Sequence, residues 1–253
     1  MRTLSLLVLL SLILALSVQA ELVTFEGSWG RPGFNLVRET AASVEVVYSI
    51  SELGLLDFEA DGEVMKAVSI PGVFLPNDQG APNLPGAGRF IAIPQGARAR
   101  VRVLASRTEV YQDMDIIPAP PIPLETDDSP LTYEKDPAIY TRNAYYPDQP
   151  VKLSPPMKIR GVDAVLLGIT PFQYNPVSRE LVVYKDLRVR VDFVGGNGHF
   201  GEDRLRSRFW EDLFQEHLIN YSSLPKIDFN DPVRLKQEGC EYAIIVPDDP
   251  DFI

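Results

Sequence analysis

Short stretches in which apolar and polar residues alternate recur along this chain, and a side-chain repeat of two can be satisfied only by a strand with one buried face. Ser43 to Ile50 places Val44, Val46, Tyr48 and Ile50 on one side. Arg98 to Leu104 sets Arg98, Arg100 and Arg102 outward against Ala99, Val101 and Val103 inward. Leu187 to Phe193 repeats the pattern, with Leu187, Val189, Val191 and Phe193 facing one way and Arg188, Arg190 and Asp192 the other. Half-buried antiparallel strands have this signature. Further strands are predicted at Leu22–Glu26, Phe34–Val37, Glu63–Ile70, Arg89–Ile93, Asp163–Ile169 and Glu180–Tyr184, with Asn175-Pro176-Val177-Ser178 as a turn before the last of these.

The connectors are rich in helix-breaking proline and glycine rather than in helix formers. Pro71 to Gly88 holds four prolines and four glycines, and Ile117 to Pro150 holds eight prolines. The second is an extended arm or an exposed loop, and connections of that length are functional or disordered. With 22 prolines and 17 glycines scattered among 45% hydrophobic residues, the texture is that of a sandwich or barrel and not of a disordered tail. After Gly195-Gly196-Asn197-Gly198 the period changes. Asp203 is placed to cap a helix carrying Leu205, Phe209, Leu213, Trp210, Phe214 and Leu218 as a wide apolar stripe, closed by Ser222, Ser223 and Pro225. Lys226 to Glu238 is charged and reads as a linker.

Both ends carry processing and truncation signals. Arg2, the apolar stretch Leu4–Val18 and the small residues Val18-Gln19-Ala20 predict a secretory signal over 1–20, cut between Ala20 and Glu21. A membrane-spanning helix needs about 20 apolar residues with anchors on both flanks, and this stretch is too short. No membrane contact is expected once it is removed. Tyr242-Ala243-Ile244-Ile245-Val246 is apolar at every position, as in a strand buried on both faces of a parallel sheet. The expectation is therefore the front part of a longer precursor: residues 21–197 a mainly β, antiparallel β-sandwich, 198–238 a helix and processing linker, and 239–253 the opening strand of an α/β domain.

Chemistry is sparse. The net charge is −11, which repels phosphate backbones and argues against nucleic acid as a partner. One cysteine, Cys240, excludes an internal disulfide framework. His199 and His217 lack metal-ligand spacing. Asp57, Asp61 and Glu63 miss the calcium-loop spacing, while Asp248, Asp249 and Asp251 read as a solvated loop. No catalytic residue and no metal or other cofactor is assigned; calcium has no support in the spacing.

Several blocks, in order, carry a resemblance. Gly80-Ala81-Pro82-Asn83-Leu84-Pro85 is followed by Phe90-Ile91-Ala92-Ile93-Pro94 and by Arg100–Leu104; Tyr140 to Pro147 precedes Arg160-Gly161, Pro171-Phe172-Gln173-Tyr174-Asn175-Pro176, Leu181–Tyr184 and Leu187–Phe193. This series resembles the amino-terminal propeptides of gingipain-type cysteine peptidases, and Tyr242–Val246 with Phe252 is similar to the first strand of their caspase-like catalytic domain. The resemblance implies a secreted bacterial zymogen, in which the sandwich covers the active site of its own precursor's catalytic domain and aids its folding. The family's catalytic histidine and cysteine have no matching positions here, and Cys240 does not match.

An inhibitory segment must lie across a substrate groove at low entropic cost, which an extended proline-stiffened loop does. Ile117–Pro150 is the candidate, with Arg142 and Lys135 offering the basic side chain that a trypsin-like pocket accepts; the alternative for Arg142 is a solvated loop charge. Release of the enzyme is expected after Lys226, Arg234 or Lys236, Arg234 preferred. A second class stays open: a secreted carbohydrate-binding or adhesion module using Tyr140, Tyr145, Tyr146 and Tyr174 as an aromatic platform.

Overall fold

The computed structural model describes residues 20–60, 62–73, 78–126 and 129–231. The signal segment before Ala20, Arg234, Lys236, Cys240, the apolar run Tyr242–Val246 and the aspartates after it lie outside the described residues.

Among the described residues, twelve strands form three antiparallel sheets. They are β1 (Ala20–Thr24), β2 (Gly33–Thr40), β3 (Ser43–Ser49), β4 (Glu52–Ala60), β5 (Glu63–Ser69), β6 (Ala87–Ala92), β7 (Ala97–Tyr111), β8 (Val151–Leu153), β9 (Met157–Ile159), β10 (Val162–Ile169), β11 (Phe172–Asn175) and β12 (Glu180–Gly195). One sheet has the order β1-β4-β5, and a second has β6-β10-β8 with β9 also on β10. The largest has the order β11-β12-β3-β2, with β7 along the other side of β12. Two short helices, α1 (Pro137–Tyr140) and α2 (Arg208–His217), complete the described elements of regular structure apart from single 3-10 turns.

The alternation seen in the sequence decides which face is covered. Val44, Val46 and Tyr48 of β3, Leu187, Val189 and Val191 of β12, Ile91 of β6 and Val165, Leu167 and Ile169 of β10 all enter one core, joined by Leu53 and Leu55 of β4. This is an antiparallel sandwich whose layers are closed by side chains from all three sheets.

Several local expectations are corrected. Glu180–Tyr184 and Leu187–Phe193 are one continuous strand, because a bulge at Lys185 lets the ladder to β7 pass the irregularity instead of ending there. Val103, expected inside, is 44% exposed: it pairs with Val189 beside a second register shift, between Arg188 and Val189, on the outermost strand of its sheet. The helix is capped by Ser207, whose hydroxyl accepts from the Phe209 N–H, and not by Asp203, which begins a 3-10 turn. The break is needed because Arg206 runs extended and turns its buried guanidinium onto Glu211, at 2.8 and 2.6 Å.

The apolar stripe on α2 is consequently divided. Phe214 and Leu218 are buried with Ala92, Val162, Ala164 and Phe200 in a second cluster, against which Trp210 packs. Leu205, Phe209 and Leu213 stay exposed. Beyond α2 the chain runs beside β6. The Ile219 N–H donates to the Phe90 carbonyl at 2.9 Å, and the fully buried Asn220 amide accepts from Ala92 N–H at 2.8 Å and donates to the Ala92 carbonyl at 2.9 Å. A side chain thus completes a strand edge that would otherwise be capped by water.

Candidate functional site

The long connector after β7 is tied down in layers. Its first residues behave as sheet: the Lys66 N–H donates to Asp115 and the Ile117 N–H to Lys66, while Ile116, Ile117 and Ala119 are buried. Gly80 then holds both ends of the excursion. Its N–H donates to the Ala119 carbonyl and its carbonyl accepts from Asp136 N–H, each at 2.9 Å. Gly80 has φ +79°, and a Cβ there would stand 3.2 Å from both Asp136 and the Glu134 carbonyl, so the position requires glycine on two counts.

From Asp136 the chain makes one helical turn. The Asp136 carboxylate accepts from Ala138 N–H at 2.8 Å and Pro137 takes the first position, so cap and φ restriction both favour α1. Thr141 donates to the Pro137 carbonyl at 2.6 Å, Arg142 N–H donates to Ile139 at 3.1 Å, and the Arg142 carbonyl accepts from Ala144. The turn is fastened to the core by Tyr140, whose hydroxyl donates to the Ile116 carbonyl at 2.8 Å and whose ring meets Tyr174 edge-on. Burial, with Tyr174 and Asp115 nearby, raises the Tyr140 hydroxyl well above its ordinary range and keeps it a neutral donor. On the far side Asn175 donates to the Asn143 side chain at 2.8 Å, and Tyr146 and Tyr174 exchange backbone hydrogen bonds. Tyr145 bonds Glu180, which lowers the carboxyl's pKa and raises the phenol's.

The two basic candidates separate sharply. Lys135 is committed to structure: its ammonium pairs with Asp115 at 3.2 Å and Glu63 at 3.4 Å and sits 5.6 Å from the Tyr140 ring centre. Offering it to a pocket would break these contacts. Arg142 is exposed and makes no ion pair among the described residues. A long cation therefore projects from backbone already fixed on both sides, so little additional order is required to present it.

Of the processing candidates only Lys226 is described, and it is exposed directly after Pro225, whose carbonyl lies 3.5 Å from Arg206 Nη1. The Ala20–Glu21 bond opens β1, where Ala20 pairs with Leu56. The aromatic platform does not form. Tyr174 is 1% exposed, Tyr140 and Tyr146 pack against the core, and Tyr145 alone of the four is exposed. No group of three or more potential metal ligands occurs among the described residues, and no helix there is long and apolar enough to cross a membrane.

Comparison with known proteins gives these contacts a context. The family described as Propeptide_C25 matches residues 27–225. The chain belongs to that family. Lys-gingipain of Porphyromonas gingivalis is 30% identical over 158 residues, 59% of this chain and 9% of that protein. Gingipain R1 of the same organism is 25% identical over 220 residues, 85% of this chain and 21% of that one. The chain thus spans about a tenth to a fifth of the length of these relatives. Among solved structures, the complex of RgpB pro- and mature domains matches with a TM-score of 0.67 at 21% identity, over 76% of this chain and 98% of that one. A structure on the zymogenic latency of gingipain K matches at 0.58 and 25%, over 70% and 100%. The propeptide motifs in the sequence are the scaffold of the Arg142 turn: Gly80 pins its entry, and Tyr174 and Asn175 hold its core and exit sides. Sequence reasoning located the loop and its arginine but missed these supports, because bonds between Gly80, Asp136, Asn143 and Asn175 leave no periodicity.

Proposed function

We propose that this chain is the propeptide region of a secreted cysteine endopeptidase precursor, acting as an intramolecular inhibitor and folding aid and removed on maturation. The observation that carries the reading is Arg142: an exposed cation, without an ion pair among the described residues, on a turn anchored by Gly80, Tyr140 and Asn143. Membership of a propeptide family supports it, as do two solved structures of similar fold, the complex of RgpB pro- and mature domains and one on the zymogenic latency of gingipain K. The partner is the catalytic domain of the same precursor, and the site of action is outside the cytoplasm or at the cell surface. Residues 21–197 act as the inhibitory sandwich and 198–238 as its carboxyl-terminal brace and processing linker.

Maturation follows cleavage after Lys226, Arg234 or Lys236. Cutting requires backbone that can leave its own hydrogen bonds, and the basic residues just upstream do not meet that condition. Arg206 is buried against Glu211 and Arg208 starts a docked helix. The function is tested by adding the purified chain to the separated peptidase domain of its precursor: suppression of peptide hydrolysis at near-stoichiometric ratio is expected, and undiminished turnover refutes it. Amino-terminal sequencing of the mature enzyme tests the processing site, with a start inside the sandwich as the contrary result.

A further inference from the structure

The outward face of the largest sheet carries a concentration of arginine that the net charge of −11 conceals. Alternation puts Arg98, Arg100 and Arg102 of β7 on the same side as Arg188 and Arg190 of β12, and the register sets Arg102 opposite Arg190 and Arg100 opposite Asp192. Arg38 of β2 lies opposite Glu45 of β3, which in turn lies opposite Arg190. Arg107 closes the row against Asp186. Seven guanidinium groups thus share one face with three carboxylates, Glu45, Asp186 and Asp192, a local surplus of four positive charges.

The carboxylates are already used. Asp186 is buried under Arg107, Ser49 and the Trp29 N–H; Glu45 takes Arg188 at 2.9 Å and Arg190 at 3.6 Å; Asp192 takes Arg190 at 2.8 Å and Arg102 at 3.1 Å. Arg38, Arg98 and Arg100 are exposed and have no ion-pair partner among the described residues. Successive same-face positions on a strand repeat at about 7 Å and neighbouring strands lie about 5 Å apart, so the free charges form a spaced array and not a single anion cradle. Trp29 stands at one end of this face. Its backbone N–H is held by Asp186, the Arg107 guanidinium lies 5.7 Å from its ring centre, and 43% of the residue remains open.

We propose that this face is a docking surface for a linear acidic glycan. Planar guanidinium groups match sulfate and carboxylate bidentately, and an open indole offers a ring face to a sugar. The face presents side chains, whereas peptide strands are recognised through backbone groups at a sheet edge. An extended chain with repeating anionic substituents and apolar ring faces is therefore the occupant that fits. The surface is separate from the Arg142 turn, and the proposal stands or falls apart from inhibition.

Heparin is a suitable probe, titrated into the full chain between 50 and 200 mM NaCl with polyglutamate in parallel. Binding that weakens with salt is expected. Arg98→Ser/Arg100→Ser should weaken it at least tenfold and lower the salt slope by about two, since each lost contact releases fewer counterions. Those arginines have no ion-pair partners to orphan among the described residues, so an unchanged melting temperature is the folding control. Trp29→Ala should weaken heparin and leave polyglutamate unaffected. No heparin binding at 50 mM NaCl, equal affinity of the arginine variant, or polyglutamate binding as tight as heparin would each overturn the proposal, the last by making the partner an acidic peptide.

Discussion

Two arginines illustrate opposite uses of one side chain. Arg107 donates through Nε to Asp186 at 2.6 Å, and that fully buried carboxylate also receives the Ser49 hydroxyl at 2.5 Å and the Trp29 backbone N–H at 2.9 Å. Truncating one member of a buried pair leaves the other charge without its partner, typically at a cost of 3–5 kcal/mol. Arg107→Ala should accordingly lower the unfolding free energy by about 3 kcal/mol in urea titration, while Arg142→Ala, with no ion pair among the described residues to lose, should change it by less than about 0.5 kcal/mol. Tyr48 provides the pH test. Burial raises its phenol from 10 to about 12. The unfolded state releases this proton first, so the stabilisation is complete below pH 10 and is lost as pH rises from 10 towards 12. Unfolding free energy should fall across that window, less steeply in Tyr48→Phe, by up to roughly 1.4 kcal/mol per pH unit for this one group. A curve flat to pH 12 would contradict it.

Among the elements, α2 and the segment behind it decide whether the carboxyl-terminal part belongs to the sandwich. Phe214 is buried and Phe209 is 70% exposed on the same helix. Phe214→Ala should cost about 3–5 kcal/mol and Phe209→Ser almost nothing in the same denaturant experiment. Asn220→Ala should cost about 1–3 kcal/mol by stranding both polar groups of Ala92. Strands such as β3 and β12 were legible because each faces the core on one side only, and period two survives that environment. β4 was not: Leu53, Leu55, Leu56 and Phe58 break strict alternation, and the strand declares itself only through pairing with β1 and β5. β11 was hidden inside a proline-flanked motif, four residues held by β12. The helix start was misplaced because Asp203 and Ser207 are both competent caps, and the Arg206–Glu211 contact that decides between them is a matter of packing. Arg142 was legible as an exposed base in a long loop; that Lys135 was already engaged was not, since Glu63 and Asp115 are distant in sequence.

For the whole molecule the proposed role is that of a folded sandwich presenting the exposed Arg142 to the catalytic domain of its precursor. The isolated chain should hydrolyse no peptide substrate, even with reductant, and turnover abolished by Cys240→Ala would make that residue a nucleophile. The central claim, inhibition through Arg142, is tested most directly by the inhibition constant of the chain against the peptidase domain of its precursor, measured for wild type, Arg142→Ala and Lys135→Ala. Hot-spot side chains contribute about 2 kcal/mol or more, so Arg142→Ala should raise the constant at least about thirtyfold with the fold intact, and Lys135→Ala should act through loop stability with a smaller effect. Equal constants for wild type and Arg142→Ala, or loss confined to Lys135→Ala, would contradict the account.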